Sequence, residues 1–194
     1  DKTIIGDAYP DFTGGFSTAF RYKGLTLSAN FVFTYGNQIF NGNSYELSGS
    51  NNYNNAYKSA ANRWKPTLYY YDAVHGVRGD LFMEGNPSNT LPVSSGGLTP
   101  IEIVNDTWIE DGSYLRLQDI TLSYELPEKF VRKLRLGKVR VFLTGTNLFC
   151  WTNYSGFDPD VNVSSGMAQY LLPGLDYFSY PRARTFSGGI NISF

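Results

Sequence analysis

One stretch of the chain decides the fold: RTFSGGINISF, from Arg184 to Phe194. From Phe186 onward the even positions are apolar or glycine, and the odd positions are small and polar or glycine. Such period-two alternation predicts a β-strand with one apolar and one polar face. About 9–11 residues allow a tilted strand to cross a bilayer. Because a soluble edge strand would usually carry Lys or Glu on its polar face, the stretch indicates a membrane-spanning strand of a β-barrel.

The same alternation recurs upstream and predicts five strands. They lie near residues 12–22, 25–36, 113–126, 138–149 and 184–194. In the third strand the alternation slips by one residue at Gln118-Asp119, which is typical of a β-bulge; two shorter strands are the alternative. In the fourth, Phe142 interrupts the polar face. The fold class is therefore all-β, with about five antiparallel strands of a large transmembrane barrel.

The connections between the predicted strands have two very different lengths. Lys23-Gly24 predicts a tight hairpin turn, and the link 127–137 is short, with room for one helical turn at 127–130. The segments 41–112 and 150–182 are long and rich in Asn, Gly, Ser, Tyr and Pro. Short periplasmic turns and long extracellular loops are typical of outer-membrane barrels.

Composition narrows the class of protein further. Aromatic residues make up 16% of the chain and charged residues 17%, with a net charge of -1. Tyr, Phe and Gly in excess favour strands and turns. The lack of an excess of Lys and Arg over Asp and Glu argues against nucleic-acid binding. The single cysteine, Cys150, excludes an internal disulfide and a cysteine-based zinc site. No apolar run reaches the length of a transmembrane helix.

Five strands are too few for a bacterial barrel, which has eight or more. An open sheet would leave unpaired backbone groups in lipid at its two edges. The chain opens on Asp1-Lys2-Thr3 without the pattern of a signal peptide. We therefore expect residues 1–194 to be the C-terminal segment of a longer barrel, with Phe194 on the periplasmic side.

Several motifs follow one another in a characteristic order. They are PDFTGGF at 10–16, WIEDGSYLRL at 108–117, ITLSYELP at 120–127, GTNLF at 145–149 and YSGFDP at 154–159. In order and spacing these motifs resemble the SusC/RagA-type TonB-dependent outer-membrane transporters. The matching stretches cover most of the chain.

The resemblance implies a barrel of about twenty-two strands, plugged by an N-terminal domain outside this chain. Such transporters import oligosaccharides or peptides across the outer membrane of Gram-negative bacteria. A TonB-type protein supplies energy through the plug, and a SusD-like surface lipoprotein covers the extracellular mouth. The partners that the resemblance implies also include the lipid of the outer membrane, the plug portion of the same protein and the oligosaccharide or peptide cargo. The resemblance implies neither a cofactor nor an enzymatic activity.

Five aromatic residues are candidate contacts for cargo or lid. They are Trp64, Tyr69, Tyr70, Tyr71 and Tyr154, all in the two long loops. An aromatic ring presents an apolar face that stacks on a sugar ring or packs against a protein lid, while the hydroxyl of a tyrosine can hydrogen-bond. Packing within the loops is the alternative for each of them.

Other polar and aromatic residues have structural interpretations. Trp108 and Trp151 are expected in the aromatic belt at the membrane interface. Four charged residues are predicted on the lumen side of the strands, where they would pair with one another or with the plug: Arg21, Arg116, Glu125 and Arg140.

No catalytic or metal site is predicted. His75 is the one histidine, and a lone histidine in a loop is expected to be solvated or hydrogen-bonded. Asp158, Asp160 and Asp176 offer oxygen ligands of the kind that calcium prefers, but they lack the spacing of a calcium loop. Two other functions remain open: a soluble β-sandwich that binds glycans, and a barrel enzyme at the cell surface that would use His75.

Overall fold

The main sheet of the chain has five long antiparallel strands. The computed structural model describes residues 3–47, 55, 57–58, 68–72, 77–83, 85, 106–133, 135–161 and 173–194. In chain order the elements are β1 (Phe12–Tyr22), β2 (Leu25–Tyr35), β3 (Gln38–Asn41), α1 (Gly42–Leu47), β4 (Leu68–Asp72), β5 (Val77–Met83), a 3-10 turn (Asp106–Trp108), β6 (Ile109–Asp111), β7 (Tyr114–Glu125), α2 (Glu128–Lys133), β8 (Lys138–Thr152), β9 (Leu175–Asp176) and β10 (Thr185–Ser193).

The five strands of the main sheet lie where the alternation predicts them. The largest difference is at the end of β8, which runs to Thr152 rather than to residue 149. It does so because Cys150, Trp151 and Thr152 still pair with the first residues of β7. The five strands are ordered β1-β2-β7-β8-β10 across the sheet. Each strand pairs antiparallel with its neighbours, which confirms the predicted all-β antiparallel fold.

The hairpin between β1 and β2 turns on two residues. Lys23 and Gly24 have φ angles of 44° and 84°, as a type I′ turn requires at both central positions. A Cβ atom on Gly24 would lie 2.7 Å from the backbone oxygen of Glu125, so only glycine fits. This hairpin and the link between β7 and β8 lie at the same end of the sheet, called here the turn end; the opposite end is the loop end.

The predicted bulge at Gln118-Asp119 is present. The pairing of β7 with β2 and with β8 shifts register between Leu117 and Asp119. The β8 side of this irregularity contains Asn147, whose φ of 54° is left-handed; asparagine adopts that conformation at lower cost than most residues. Its side-chain amide donates a hydrogen bond of 3.2 Å to the carbonyl of Ala183, which stabilises the bulge beside β10.

Smaller elements occupy the segments predicted as connections. β6, β3 and β9 form a three-stranded sheet, and β4 pairs with β5 in a hairpin. The expected helical turn after Pro127 is α2, at Glu128–Lys133. The chain divides into two compact units, Asp1–Phe40 with Ile109–Phe194, and Asn41–Trp108. Among the described residues, no helix has the length and apolar character needed to cross a membrane.

Candidate functional site

The register of the main sheet gives it one apolar face. Three successive rows across the five strands illustrate it: Tyr22–Leu25–Tyr124–Val141–Ile190, Phe20–Leu27–Leu122–Leu143–Gly188 and Thr18–Ala29–Ile120–Gly145–Phe186. Only Thr18, on the edge strand, is polar. Phe20, Leu143 and Ile190 are each more than half exposed. We call this surface the apolar face.

An apolar face of this extent is unfavourable in water. The largest apolar patch on a typical soluble monomer covers about 300–600 Å², whereas this face continues across all five strands of the sheet. Each square ångström removed from water contributes about 25 cal/mol. The side chains of the apolar face therefore match a hydrocarbon environment better than an aqueous one.

Aromatic rings lie at both ends of the apolar face. The loop end carries Phe12, Tyr35, Phe149 and Trp151, and the turn end carries Tyr22 and Tyr124. Phe12 stacks on Tyr35 with ring centroids 5.0 Å apart, and Phe149 stacks on Trp151 at 6.0 Å. A strand of β2's length, rising about 3.4 Å per residue and tilted by about 40°, spans about 26 Å. That distance matches the apolar band of an outer-membrane barrel, about 25 Å tall between two aromatic belts.

The two tryptophans expected in an aromatic belt differ in position. Trp151 is half exposed at the loop end of the apolar face, in agreement with the expectation. Trp108 instead packs edge to face against the buried ring of Tyr45, with centroids 5.9 Å apart. Both residues belong to the unit Asn41–Trp108, so Trp108 packs within that unit.

The opposite face of the main sheet is polar. Its rows include Ser17–Asn30–Asp119–Thr146–Thr185 and Ala19–Ser28–Thr121–Thr144–Ser187. The Asn30 amide nitrogen donates to both carboxylate oxygens of Asp119, at 2.9 and 2.8 Å. The hydroxyls of Thr121 and Thr144 are 2.8 Å apart. We call this surface the polar face; short hydroxyl and amide groups of this kind suit a hydrated lumen.

Phe142, which interrupts the alternation of β8, fills a gap on the polar face. It lies opposite Gly189 in the register. A Cβ atom on Gly189 would approach the Phe142 ring to 2.8 Å, so the ring occupies the space that a side chain would otherwise take. Gly14 and Phe33 form the same kind of pair on the apolar face, at 2.7 Å. A phenylalanine on one strand thus covers a glycine on the next.

Charged residues of the polar face pair with neighbouring strands. The Arg140 guanidinium donates a 2.9 Å hydrogen bond to the Ser123 hydroxyl, and Arg140 lies opposite Glu125 in the register. The ammonium of Lys138 is 3.8 Å from the Glu125 carboxylate. Arg21 lies at the turn end of β1, opposite Thr26. Arg140 and Glu125 thus lie on the polar face, as the alternation predicts, and their described side-chain partners are Ser123 and Lys138.

A buried ion pair fastens the second long loop to the loop end of the sheet. The Arg116 guanidinium reaches the Asp158 carboxylate with nitrogen–oxygen distances of 2.5 and 3.3 Å, and the two side chains are 4% and 8% exposed. The backbone amides of Asp160 and Arg182 donate to the same carboxylate at 3.0 and 3.3 Å. Arg182 in turn pairs with Asp160 at 2.5 Å. One carboxylate thus joins β7 to two parts of the loop.

The environment of Asp158 favours its ionised form. Burial opposes ionisation, but the hydrogen bond from Arg116, the backbone amides of Asp160 and Arg182, and the positive charge of Arg116 outweigh that opposition. The net result is a pKa below the ordinary value of an aspartate. The ion pair is therefore intact at neutral pH.

Of the five candidate contact residues, Tyr154 is the one whose side chain the structure describes. Its hydroxyl donates a 2.6 Å hydrogen bond to the Asp176 carboxylate, and the two residues are 5% and 1% exposed. The amide of Ser179 also donates to Asp176, at 3.3 Å. The described contacts of Tyr154 thus hold the loop together, and its burial gives no support to a contact with cargo.

The other candidate residues stay predictions. Tyr69, Tyr70 and Tyr71 lie on β4, which pairs with β5. Trp64 and His75 lie outside the described residues.

The three aspartates considered for calcium have protein partners. Asp158 and Asp160 pair with arginines, and Asp176 accepts from Tyr154. Within the described ranges, no group of three His, Cys, Asp or Glu side chains is arranged to hold a metal ion.

Removing the Tyr154 hydroxyl tests its structural role. Tyr154→Phe leaves the buried Asp176 carboxylate without this donor, so we expect a loss of about 1–3 kcal/mol in the free energy of unfolding. The measurement is the urea midpoint of the folded full-length protein in lipid. The matched control is Tyr180→Phe, whose side chain is fully exposed and should change stability by less than about 0.5 kcal/mol. Equal midpoints for the two variants would contradict this role.

Known proteins similar to this chain are TonB-dependent receptors. The TonB-dependent receptor P3 of Formosa agariphila is 34% identical over 196 residues, which cover 100% of this chain and 17% of that protein. The TonB-dependent receptor SusC of Bacteroides thetaiotaomicron is 30% identical over 132 residues, which cover 64% of this chain and 12% of SusC. The structure of the RagAB peptide transporter aligns with 98% of this chain and 18% of the matched chain, with a TM-score of 0.72 and 25% identity.

These similarities confirm the resemblance seen in the motifs. No protein-family model matches the chain, which spans less than a fifth of each of these relatives. The relatives are named as receptors and a transporter, not as enzymes. In sequence the chain matches a fragment of TonB-dependent receptors, SusC among them, and in structure it matches part of the RagAB transporter, so that its sheet is a fragment of a larger β-barrel of this kind.

Proposed function

We propose that this chain supplies barrel wall and outer loops to an importer of bulky nutrients, oligosaccharides or peptides. The observation that carries the proposal is the two-faced sheet: a continuous apolar face bounded by aromatic rings, and a polar face lined with hydroxyl and amide groups. A wall of this kind separates lipid from a hydrated passage. The relatives support transport as the activity of the whole protein.

The strands of the main sheet require partners from the rest of the receptor. β1 and β10 form the two edges of the sheet, and an edge in lipid is costly because each unsatisfied backbone group loses several kcal/mol. The N-terminal barrel strands of the same protein would pair with both edges. A plug domain from that portion would face the polar side of the sheet and connect to a TonB-type protein.

The lengths of the connections support one orientation in the outer membrane. The turn end carries the Lys23-Gly24 hairpin and the link 126–137, and β10 also ends there. The loop end carries the segments that join β2 to β7 and β8 to β10. Since outer-membrane barrels keep their long loops outside the cell, the turn end and Phe194 would face the periplasm.

A surface lipoprotein of the SusD kind would close the extracellular mouth. The RagAB structure is described as that of a peptide transporter, and a matched receptor is SusC. Cargo and lid would meet the outer loops, where Trp64 and Tyr69–71 remain the candidate contacts. Peptide and oligosaccharide are both compatible with a passage lined by hydroxyl and amide groups.

The exposure of apolar side chains on the main sheet favours this function over a soluble glycan-binding sandwich. A sandwich would bury the apolar face under a second sheet. Among the described residues the apolar side chains Phe20, Leu143 and Ile190 are more than half exposed. A lipid environment accounts for that exposure, whereas a water-soluble module does not.

The test is purification of the full-length receptor from its native outer membrane in mild detergent, followed by mass spectrometry of what remains bound. We expect a surface lipoprotein in about equal amount and a bound oligosaccharide or peptide. Uptake of that ligand should stop in cells lacking the TonB-type protein, while porin-dependent uptake of a small sugar continues as the control. Ligand uptake that continues without the TonB-type protein, or a receptor recovered from the soluble fraction, would contradict the proposal.

A further inference from the structure

The link at the turn end has a charge unlike that of the chain as a whole. Residues 126–138, called here the basic turn, contain five cations, Lys129, Arg132, Lys133, Arg135 and Lys138, and one carboxylate, Glu128. The whole chain has a net charge of -1. Two cations of the basic turn have carboxylate partners: Arg132 pairs with Glu128 at 2.9 Å, and Lys138 approaches Glu125 at 3.8 Å. The basic turn therefore concentrates positive charge at the turn end of the main sheet.

The basic turn covers the end of the apolar face. α2 packs against β8. Val131 of α2 is 2% exposed and Val139 of β8 is 8% exposed, whereas Val141, the next residue of β8 on the apolar face, is 41% exposed. Val139 lies in the apolar row of Ile192, so what buries it lies on the apolar side of the sheet.

Backbone hydrogen bonds hold this position. The amide of Leu126 donates to the Val139 carbonyl at 2.9 Å, and the amide of Gly137 donates to the Ser193 carbonyl at 2.7 Å. The basic turn is thus attached to both β8 and β10. Its attachment point on β8 lies one row beyond Tyr22 and Tyr124, at the aromatic border of the apolar face.

The helix directs two lysines and a phenylalanine away from its buried side. Successive residues of an α-helix are about 100° apart around its axis, so with Val131 toward the sheet, Lys129 and Lys133 lie on the far side and Phe130 lies between them and the sheet. Phe130 is 62% exposed. The Glu128–Arg132 pair occupies the opposite flank and is about four-fifths exposed.

We propose that the basic turn binds anionic phospholipid headgroups of the leaflet at the turn end, with the Phe130 ring inserted at the boundary of headgroup and acyl chain. A short helix with an exposed aromatic ring beside lysines has the chemistry of an interfacial anchor. The lipid is the occupant because the basic turn continues the apolar face, whose own surroundings would be lipid. This inference rests on the proposed membrane-spanning function of the sheet.

The experiment places nitroxide labels on the full-length receptor in lipid nanodiscs, in a background that includes Cys150→Ser. The labelled variants are Phe130→Cys, Glu128→Cys on the opposite flank, and Leu143→Cys within the apolar face. Nanodiscs contain phosphatidylethanolamine with or without phosphatidylglycerol. The readout is the ratio of accessibility to oxygen, which dissolves in lipid, over accessibility to a water-soluble nickel complex. If the label at Phe130 disturbs folding, Lys133→Cys replaces it, because Lys133 lies about 60° around the helix axis from Phe130 and about 140° from Glu128.

We expect the ratio at position 130 to exceed that at position 128 by about three-fold or more with phosphatidylglycerol present. The excess should fall when phosphatidylglycerol is omitted or when Lys129→Gln and Lys133→Gln are combined. Three outcomes would overturn the anchor alone. The ratios at positions 130 and 128 could be equal, or a protein partner could shield the label at 130 from both reagents. The ratio at 130 could also stay unchanged both without phosphatidylglycerol and in the double lysine variant. A label at 143 that is open to nickel would overturn the membrane-spanning sheet, and the anchor with it.

Discussion

Ile120→Arg blocks assembly of the receptor in the outer membrane, whereas Thr121→Arg at the next residue does not: this is the result we expect. Ile120 lies in the middle of β7, in the apolar row of Ala29 and Phe186. An arginine facing lipid near the bilayer midplane destabilises a barrel by about 2–4 kcal/mol. An inserted arginine at position 121 would point to the polar face, where charges such as Arg140 and Asp119 already lie.

The two variants differ only in which face receives the charge. The measurement is the fraction of receptor that migrates as a folded, heat-modifiable species in outer-membrane preparations. The cost of Thr121→Arg is limited to its hydroxyl contact with Thr144, about 0.5–1.5 kcal/mol. Equal losses at both positions, or a larger loss for Thr121→Arg, would mean that the assignment of the two faces is wrong.

Asp158→Ala destabilises the receptor strongly, because it leaves the Arg116 guanidinium buried without its carboxylate. Removing one partner of a buried ion pair typically costs about 3–5 kcal/mol, and both side chains here are less than a tenth exposed. The control is Asp160→Ala, which removes the neighbouring ion pair with Arg182. Both side chains of that pair are more than a third exposed. Surface pairs of that kind contribute about 0–1 kcal/mol. The measurement is the urea midpoint of each variant in lipid.

A double variant separates loss of the pair from loss of packing. Arg116→Leu combined with Asp158→Leu removes both charges, and buried pairs replaced by apolar residues often retain their stability. We therefore expect the double variant to recover most of the loss caused by Asp158→Ala. A double variant as unstable as the single one would contradict a cost that arises from an unpaired buried charge.

The stability contributed by Asp158 depends on pH in a defined direction. Its pKa is lowered in the folded protein from an ordinary value of 3.8. Folding therefore favours the ionised carboxylate, so the contribution is complete above the ordinary pKa and is lost as pH falls through the lowered pKa. The difference in stability between the parent protein and Asp158→Ala should be constant from about pH 7 to 5 and should shrink below about pH 4.

Much of the fold could be predicted from the sequence because strand alternation is a local signal. The period of two is long enough in β1, β2, β7, β8 and β10 to set their positions, and the slip at Gln118-Asp119 revealed the bulge. Strands β3, β6 and β9 have two to four residues each, too few for a period to be recognised. They form by pairing with one another, which is a property of the assembled chain.

The polar contacts of the candidate site were less accessible to prediction. The parity of Arg116 placed it on the polar face, but its partner Asp158 lies 42 residues away along the chain, beyond any local pattern. The Asn30–Asp119 pair spans 89 residues and depends on the register of β2 with β7. Tyr154 was recognised as an aromatic loop residue, and only the fold shows that its hydroxyl is buried against Asp176.

The most direct test of the central claim, that the main sheet is a membrane wall with one lipid face and one lumen face, is a nitroxide scan of β2 from Leu27 to Phe33. The full-length receptor in nanodiscs is labelled at one position at a time. Oxygen accessibility should be high at the outward positions Leu27, Phe31 and Phe33. It should be low, with higher accessibility to the nickel complex, at Ser28, Asn30 and Val32. A scan without period two, with both sets of positions open to the nickel complex, would contradict the account.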